Sequence, residues 1–142
     1  MSYHPEVEDN TDSDRPPKLI ALHIVFPWSR QMMRLLSPSI FCDATFNVTI
    51  YNYKVVAFTT LDGNKQHRPL MISFISNCTA DQWCTIFDMF ARNIINGRPV
   101  FYVITSDNEE AISAGLQISQ LNTISIHFIC SLHQKWNVRS HK

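Results

Sequence analysis

Glycine is scarce, three residues in 142, and that scarcity excludes a glycine-rich phosphate loop. P-loops and dinucleotide fingerprints need several glycines at fixed spacing so that backbone N–H groups can approach the ligand. No apolar stretch reaches the roughly 18 residues that a membrane-spanning helix requires. The Met1 end is polar and acidic, unlike the basic-then-apolar pattern of a secretory leader, so an intracellular protein with no membrane attachment is expected. Cysteine is limited to Cys42, Cys78, Cys84 and Cys130 at irregular spacing, which reads as reduced core residues and not a disulfide framework. In that setting the sequons at Asn47 and Asn77 carry no weight. Lys and Arg are missing from the first 14 residues, which hold Glu6, Glu8, Asp9, Asp12 and Asp14, and no Asp or Glu follows Glu110. The formal net charge of zero therefore hides an asymmetry. Without those five acids, twelve Lys and Arg face seven Asp and Glu, a net of +5 that is compatible with a polyanionic partner.

Hydrophobic residues make up 45% of the chain, enough for one buried core. Residues 1–17 lack hydrophobic periodicity and are rich in Asp, Glu, Ser and Pro, which predicts a disordered acidic tail before a globular part at 18–142. Leu19 to Phe26 reads as a short strand or extended lead-in, and Pro27 followed by Trp28, Met32, Met33, Leu35 and Leu36 reads as an amphipathic helix. From Ile40 the period changes to two. Ile40, Cys42, Ala44, Phe46, Val48 and Ile50 take one face, and Phe41, Asp43, Thr45, Asn47 and Thr49 the other. Val55 to Leu61, the turn Asp62-Gly63-Asn64-Lys65, and Leu70 to Ile75 complete a three-stranded antiparallel meander.

Thr79 and Gln82 mark a capping-box start, and Trp83, Phe87, Phe90 and Ile94 recur at helical spacing before Gly97 and Pro99 end the segment. That aromatic stripe reads as core packing and not a ligand box. A fourth strand at Val100 to Thr105, a helix from about Asn108 to Ile118 and a fifth strand at Ile124 to Cys130 follow. The result is an α/β fold with a mixed five-stranded sheet. A right-handed crossover lets strand four lie parallel beside strand one. Asp107 then arrives at a strand's carboxyl end near Asp43, the place where open sheets bind ligands.

Aspartate is depleted in strands, so Asp43 within Ile40–Phe46 and Asp107 at the tip of Val100–Asp107 form a candidate metal-holding pair. Taken singly, each has a plainer reading. Asp43 could be a solvated residue on an exposed strand face, and Asp107 or Ser106 could N-cap the following helix with Glu109 or Glu110 completing a capping box. Cys130 and His133, with His127 upstream, have donor types that zinc accepts, but the spacing fits no standard finger and zinc is not expected. Lys135, Trp136, Arg139 and Lys142 are the one basic and aromatic mixture that could meet nucleic acid, or else a solvated helix start.

The segments Phe41-Cys42-Asp43-Ala44-Thr45-Phe46, Val103 to Ile112, Cys130-Ser131-Leu132-His133 and Trp136-Asn137-Val138, with the lead-in Leu22 to Trp28, resemble the Mutator-like (MULE) transposase domain. That family belongs to the DDE superfamily with a ribonuclease-H-like fold. The resemblance implies that Asp43 and Asp107 are the first two acids of a DDE triad holding Mg or Mn. It also implies that Cys130 and His133 are the family's Cys-x-x-His marker, that the partner is DNA and that the location is nuclear. Carboxylates suit such hard cations, and two of them about 3.5–4 Å apart can serve the attacking and leaving oxygens of strand cleavage.

The chain departs from the family where the third acid is due, since no Asp or Glu follows Glu110. The expectation is therefore a fragment of a transposase core, inactive alone, whose sheet face lacks its terminal helices and is prone to self-association. The alternative is a non-enzymatic interaction module that keeps the fold. An actin-like ATPase domain ranks last, because Ala44 and Thr45 stand where such a domain wants glycine after its aspartate.

Overall fold

A buried stripe on every central strand, alternating with a half-exposed one, defines the architecture. The structure, a computed structural model, describes residues 1–8, 18–36, 39–45, 52–96, 101–107 and 109–130. The strands are β1 (Ser2–Glu8), β2 (Lys18–Val25), β3 (Ser39–Thr45), β4 (Lys54–Leu61), β5 (His67–Ile75), β6 (Tyr102–Ser106) and β7 (Ser125–Ile129). The helices are α1 (Ser29–Leu35), α2 (Ala80–Phe90) and α3 (Glu110–Ile118). They join a seven-stranded mixed sheet in the order β1-β2-β5-β4-β3-β6-β7.

The meander expected from the period-two pattern is present as β3-β4-β5, antiparallel throughout. Its tight turn is built by Asp62, whose Oδ1 accepts from the backbone N–H of Asn64 (2.8 Å) and Gln66 (3.0 Å), while Lys65 takes the left-handed conformation. A bulge beside Phe58 and Thr59 shifts the register, so Leu70 and Met71 are both buried although adjacent in β5. Beyond the meander the chain crosses over through α2 and α3, and β6 and β7 run parallel to β3 and to each other.

The count of five strands is corrected to seven. The lead-in is a full strand, β2, paired antiparallel with β5. The disordered-tail reading is also corrected for Ser2–Glu8, which forms β1 on the edge of the sheet. Its inward residues are polar (His4 and Glu6), so no apolar alternation announced it, and Pro5 fits because an edge strand can spare one N–H. Residues 9–17 and the expected strand extension at 46–50 lie outside the described residues.

The helices pack over one face of the sheet. Trp83, Phe87, Phe90 and Ile94, the helical stripe, are all buried. Phe58 of β4 stacks on Phe90 (centroids 4.9 Å apart) and meets Phe87 edge-on (5.8 Å). Thr79 caps α2 by accepting from the N–H of Gln82 at 3.3 Å. The reciprocal half of a capping box is not made by Gln82. Its amide reaches Glu6 of β1 at 3.4 Å instead. Past Phe90 the helix widens into a π-helical turn, Ala91–Ile95, and closes on Asn96 in the left-handed conformation. α1 is anchored at its start, where Ser29 Oγ donates to the carbonyl of Leu70 at 2.5 Å. No helix among the described residues is long and apolar enough to cross a membrane.

Candidate functional site

Asp43 stands on β3 with its side chain on the face away from the helices, between the buried Cys42 and Ala44. β6 runs parallel beside β3, pairing Ser39 with Val103, Ile40 with Ile104 and Phe41 with Thr105. Directly paired residues point to the same side of a sheet. The paired residues end at Phe41 and Thr105, each two positions before an aspartate, Asp43 on β3 and Asp107 just past β6. The parallel placement of β6 beside the first strand of the meander, argued from the sequence, is present.

Several charges act on the thiols and carboxyls near this end of the sheet. The Cys42 thiol is raised well above its ordinary value, first by burial and then by the charges of Asp107, Asp43 and Glu109. Glu109, at the N-terminus of α3, has its carboxyl raised by burial and by Asp107, and Lys54 at the start of β4 opposes the rise. The Cys78 thiol is also raised by burial, with Lys54 countering and Glu109 and Asp107 adding. Asp107, Glu109 and Lys54 therefore lie within electrostatic reach of one another near the end of β6 and the start of β4. Carboxylate oxygens are donors that a hard divalent cation accepts, and Asp43 and Asp107 carry donors of that type. Among the described residues no group of three or more His, Cys, Asp or Glu is arranged to hold a metal ion.

The capping expectation for α3 is corrected. Glu109 occupies the N-cap position with no side-chain cap bond, so neither Ser106 nor Asp107 caps the helix. The Ser106 hydroxyl is engaged elsewhere, donating to the carbonyl of Asp107 at 2.9 Å and lying 2.7 Å from His127 Nε2. His127, considered with Cys130 and His133 as a zinc ligand, has both ring nitrogens turned to serines, Nδ1 facing Ser113 Oγ at 3.5 Å. Cys130 is half-buried just past β7 and donates its backbone N–H to the carbonyl of Ser106 at 2.7 Å. His133 and the basic stretch Lys135, Trp136, Arg139 and Lys142 lie outside the described residues.

A second polar cluster was missed by sequence reasoning. His23 is fully buried on β2, with Nδ1 2.8 Å from Ser73 Oγ and Nε2 3.0 Å from Glu6 Oε1. Serine, histidine and carboxylate in line suggest a nucleophilic triad. Ser73 is also fully buried, however, so no substrate can reach its hydroxyl. The only sequence signal would have been a histidine in an apolar strand facing a serine in another. A cavity of about 290 Å3 lined by Met1, Ser2, Val25, Phe26, Pro27, Arg30 and Asn93 includes neither cluster.

No curated protein and no solved structure gives a significant match to the chain. The family model of the MULE transposase domain matches residues 39–136. That span covers β3 through β7 with α2 and α3, and includes Asp43, Asp107, Cys130 and His133. It takes in more than half of the 142 residues, and the chain belongs to the MULE transposase domain family.

Proposed function

We propose that this chain supplies the two-acid part of a DDE-type transposase core acting on DNA, with Asp43 and Asp107 as ligands of one Mg or Mn ion. The observation that supports the reading is the parallel β3–β6 pairing, whose last pair, Phe41 with Thr105, comes two residues before each aspartate, together with the charge of Asp107 acting on the Cys42 thiol of β3. When bound, the cation would stabilise charge on the oxygens of a phosphodiester under attack. The chain's own contribution is placement. Asp43 lies on β3 and Asp107 just past the end of β6, and the buried row Ile40, Cys42, Ile104 and Ser106 packs the helix side of these strands. A meander followed by two helical crossovers to parallel strands supports a ribonuclease-H-like fold.

Strand transfer is not part of the proposal, which assigns two acidic ligands and no third. Misplaced or missing ligands cost catalysis steeply. Family membership also leads us to place the protein inside the cell and in the nucleus, where its DNA substrate resides. The sheet face opposite the helices carries half-exposed Leu22, Ile24, Phe41, Val55, Ile72 and Phe74, which supports self-association through that face.

The decisive measurement is a Mn2+ titration followed by water-proton relaxation, on the wild type and on Asp43→Asn. Weak binding by the wild type that drops in the variant is expected. Equal, negligible binding by both would refute the two-acid site.

A further inference from the structure

We propose that Ser106 and His127 are positioning residues for Asp107, clamping the peptide planes on either side of it so that its carboxylate is held toward Asp43. The inference rests on the two-acid reading above and adds to it the device that aims one of the acids.

The geometry is specific to the end of β6. The peptide preceding Asp107 is fixed through the Ser106 carbonyl, which accepts from the Cys130 N–H at 2.7 Å. The peptide following it is fixed through the Asp107 carbonyl, which accepts from the Ser106 hydroxyl at 2.9 Å. With both planes tied, the direction of the Asp107 Cα–Cβ bond is set by the backbone. Ser106 has a single hydroxyl hydrogen. Having given it to the Asp107 carbonyl, its oxygen must accept from His127, so Nε2 carries the ring proton across the 2.7 Å contact. Nδ1 is then the acceptor that faces Ser113 of α3 at 3.5 Å.

Burial supports this assignment, since it lowers the His127 pKa below its ordinary value and leaves a neutral ring with one N–H at neutral pH. Ser106 is almost wholly buried, so water does not compete for its hydroxyl. His127 lies opposite Ile104 in the β6–β7 ladder, which puts it on the helix side of the sheet, under α3. It touches no ligand and acts through Ser106 alone. Supporting groups that orient a ligand in this way typically alter metal affinity by about 10–100-fold when removed.

The test is the same relaxation-detected Mn2+ titration, on the full chain, with Ser106→Ala, His127→Leu, His127→Gln and the control Thr79→Ala. Thr79 caps α2 and touches neither aspartate, so its replacement lowers stability without disturbing the clamp. The expected result is affinity reduced about tenfold in Ser106→Ala and His127→Leu, and unchanged in Thr79→Ala at a comparable loss of thermal stability. His127→Gln should recover most of the affinity, because its amide N–H can donate to Ser106. Wild-type affinity retained in Ser106→Ala would overturn the clamp and leave the two-acid site standing, even if His127→Leu does not fold. Negligible binding by wild type and Asp43→Asn alike would overturn both.

Discussion

His23 Nε2 on β2 lies 3.0 Å from Glu6 Oε1 on β1, and this contact ties a side chain of the amino-terminal strand to a buried partner. The other inward side chain of β1 near the core is His4, and Tyr3, Pro5, Val7 and Glu8 are exposed. Removing the carboxylate in Glu6→Ala leaves the buried His23 N–H without its acceptor, at a cost of about 1–3 kcal/mol. Amide exchange should show the loss first in Ser2–Glu8, while β4 and β5 stay protected.

The same histidine makes stability depend on pH. Burial lowers the His23 pKa below 6.5, and the hydrogen bond and charge of Glu6 only partly offset it, with His4 adding a small lowering. The unfolded chain therefore takes up the proton before the folded one does. Stability from this group is complete above about pH 6.5 and declines as pH falls from there toward the folded value. His127, also lowered by burial, adds in the same direction. Urea midpoints at pH 7.5 and 5.5 should show the lower value at 5.5, and an equal or higher midpoint at 5.5 would contradict both assignments.

Gly115 is where α3 comes closest to α2. A Cβ there would collide with the Cβ of Trp83 and sit 2.8 Å from the Ala80 carbonyl oxygen and 2.9 Å from the Cys84 nitrogen. Two of those neighbours are backbone and cannot rotate away. Alanine normally gains about 1 kcal/mol over glycine within a helix, but here overpacking of about 1–3 kcal/mol or more should outweigh it. Gly115→Ala is expected to lower the melting temperature, and a stabilised variant would show that the two helices are not in close contact.

Glu109 reports whether the acids at the strand ends sense one another. Burial and then Asp107 raise its carboxyl, and Lys54 lowers it. Asp107→Asn should therefore move the Glu109 titration down toward the usual carboxylate range, and Lys54→Gln should move it further up. Carboxyl carbon chemical shifts followed against pH would read both. Opposite signs, or no response to either change, would separate these groups in space.

Phe128 and Ile126 of β7 are 54% and 48% exposed, at the edge of the sheet. If the open face drives self-association, Ile126→Thr with Phe128→Ser should reduce the sedimenting mass at a fixed concentration while the far-ultraviolet dichroism holds. A wild type that sediments as a monomer across the accessible range would end that proposal.

Sequence alone determined the elements whose residues bury apolar side chains at a regular period. The stripe Trp83, Phe87, Phe90 and Ile94 made α2 legible, and alternation around Asp43, with the Asp62-Gly63 turn, made the meander legible. Chain direction then allowed the strand order, since a right-handed crossover keeps the direction of the strand and lets it lie parallel beside β3. That was enough to bring Asp43 and Asp107 together on paper, because strand direction and side-chain alternation are local properties. What only the tertiary structure decided were the contacts among polar groups. β1 has no apolar period, and its inward Glu6 gains meaning only once His23 and Gln82 are opposite it. Ser106 and His127, likewise, could be read as a cap and a metal ligand until β6 and β7 were set side by side. A hydrogen bond depends on angle and on distances near 3 Å between residues far apart in the chain, and no periodicity encodes that.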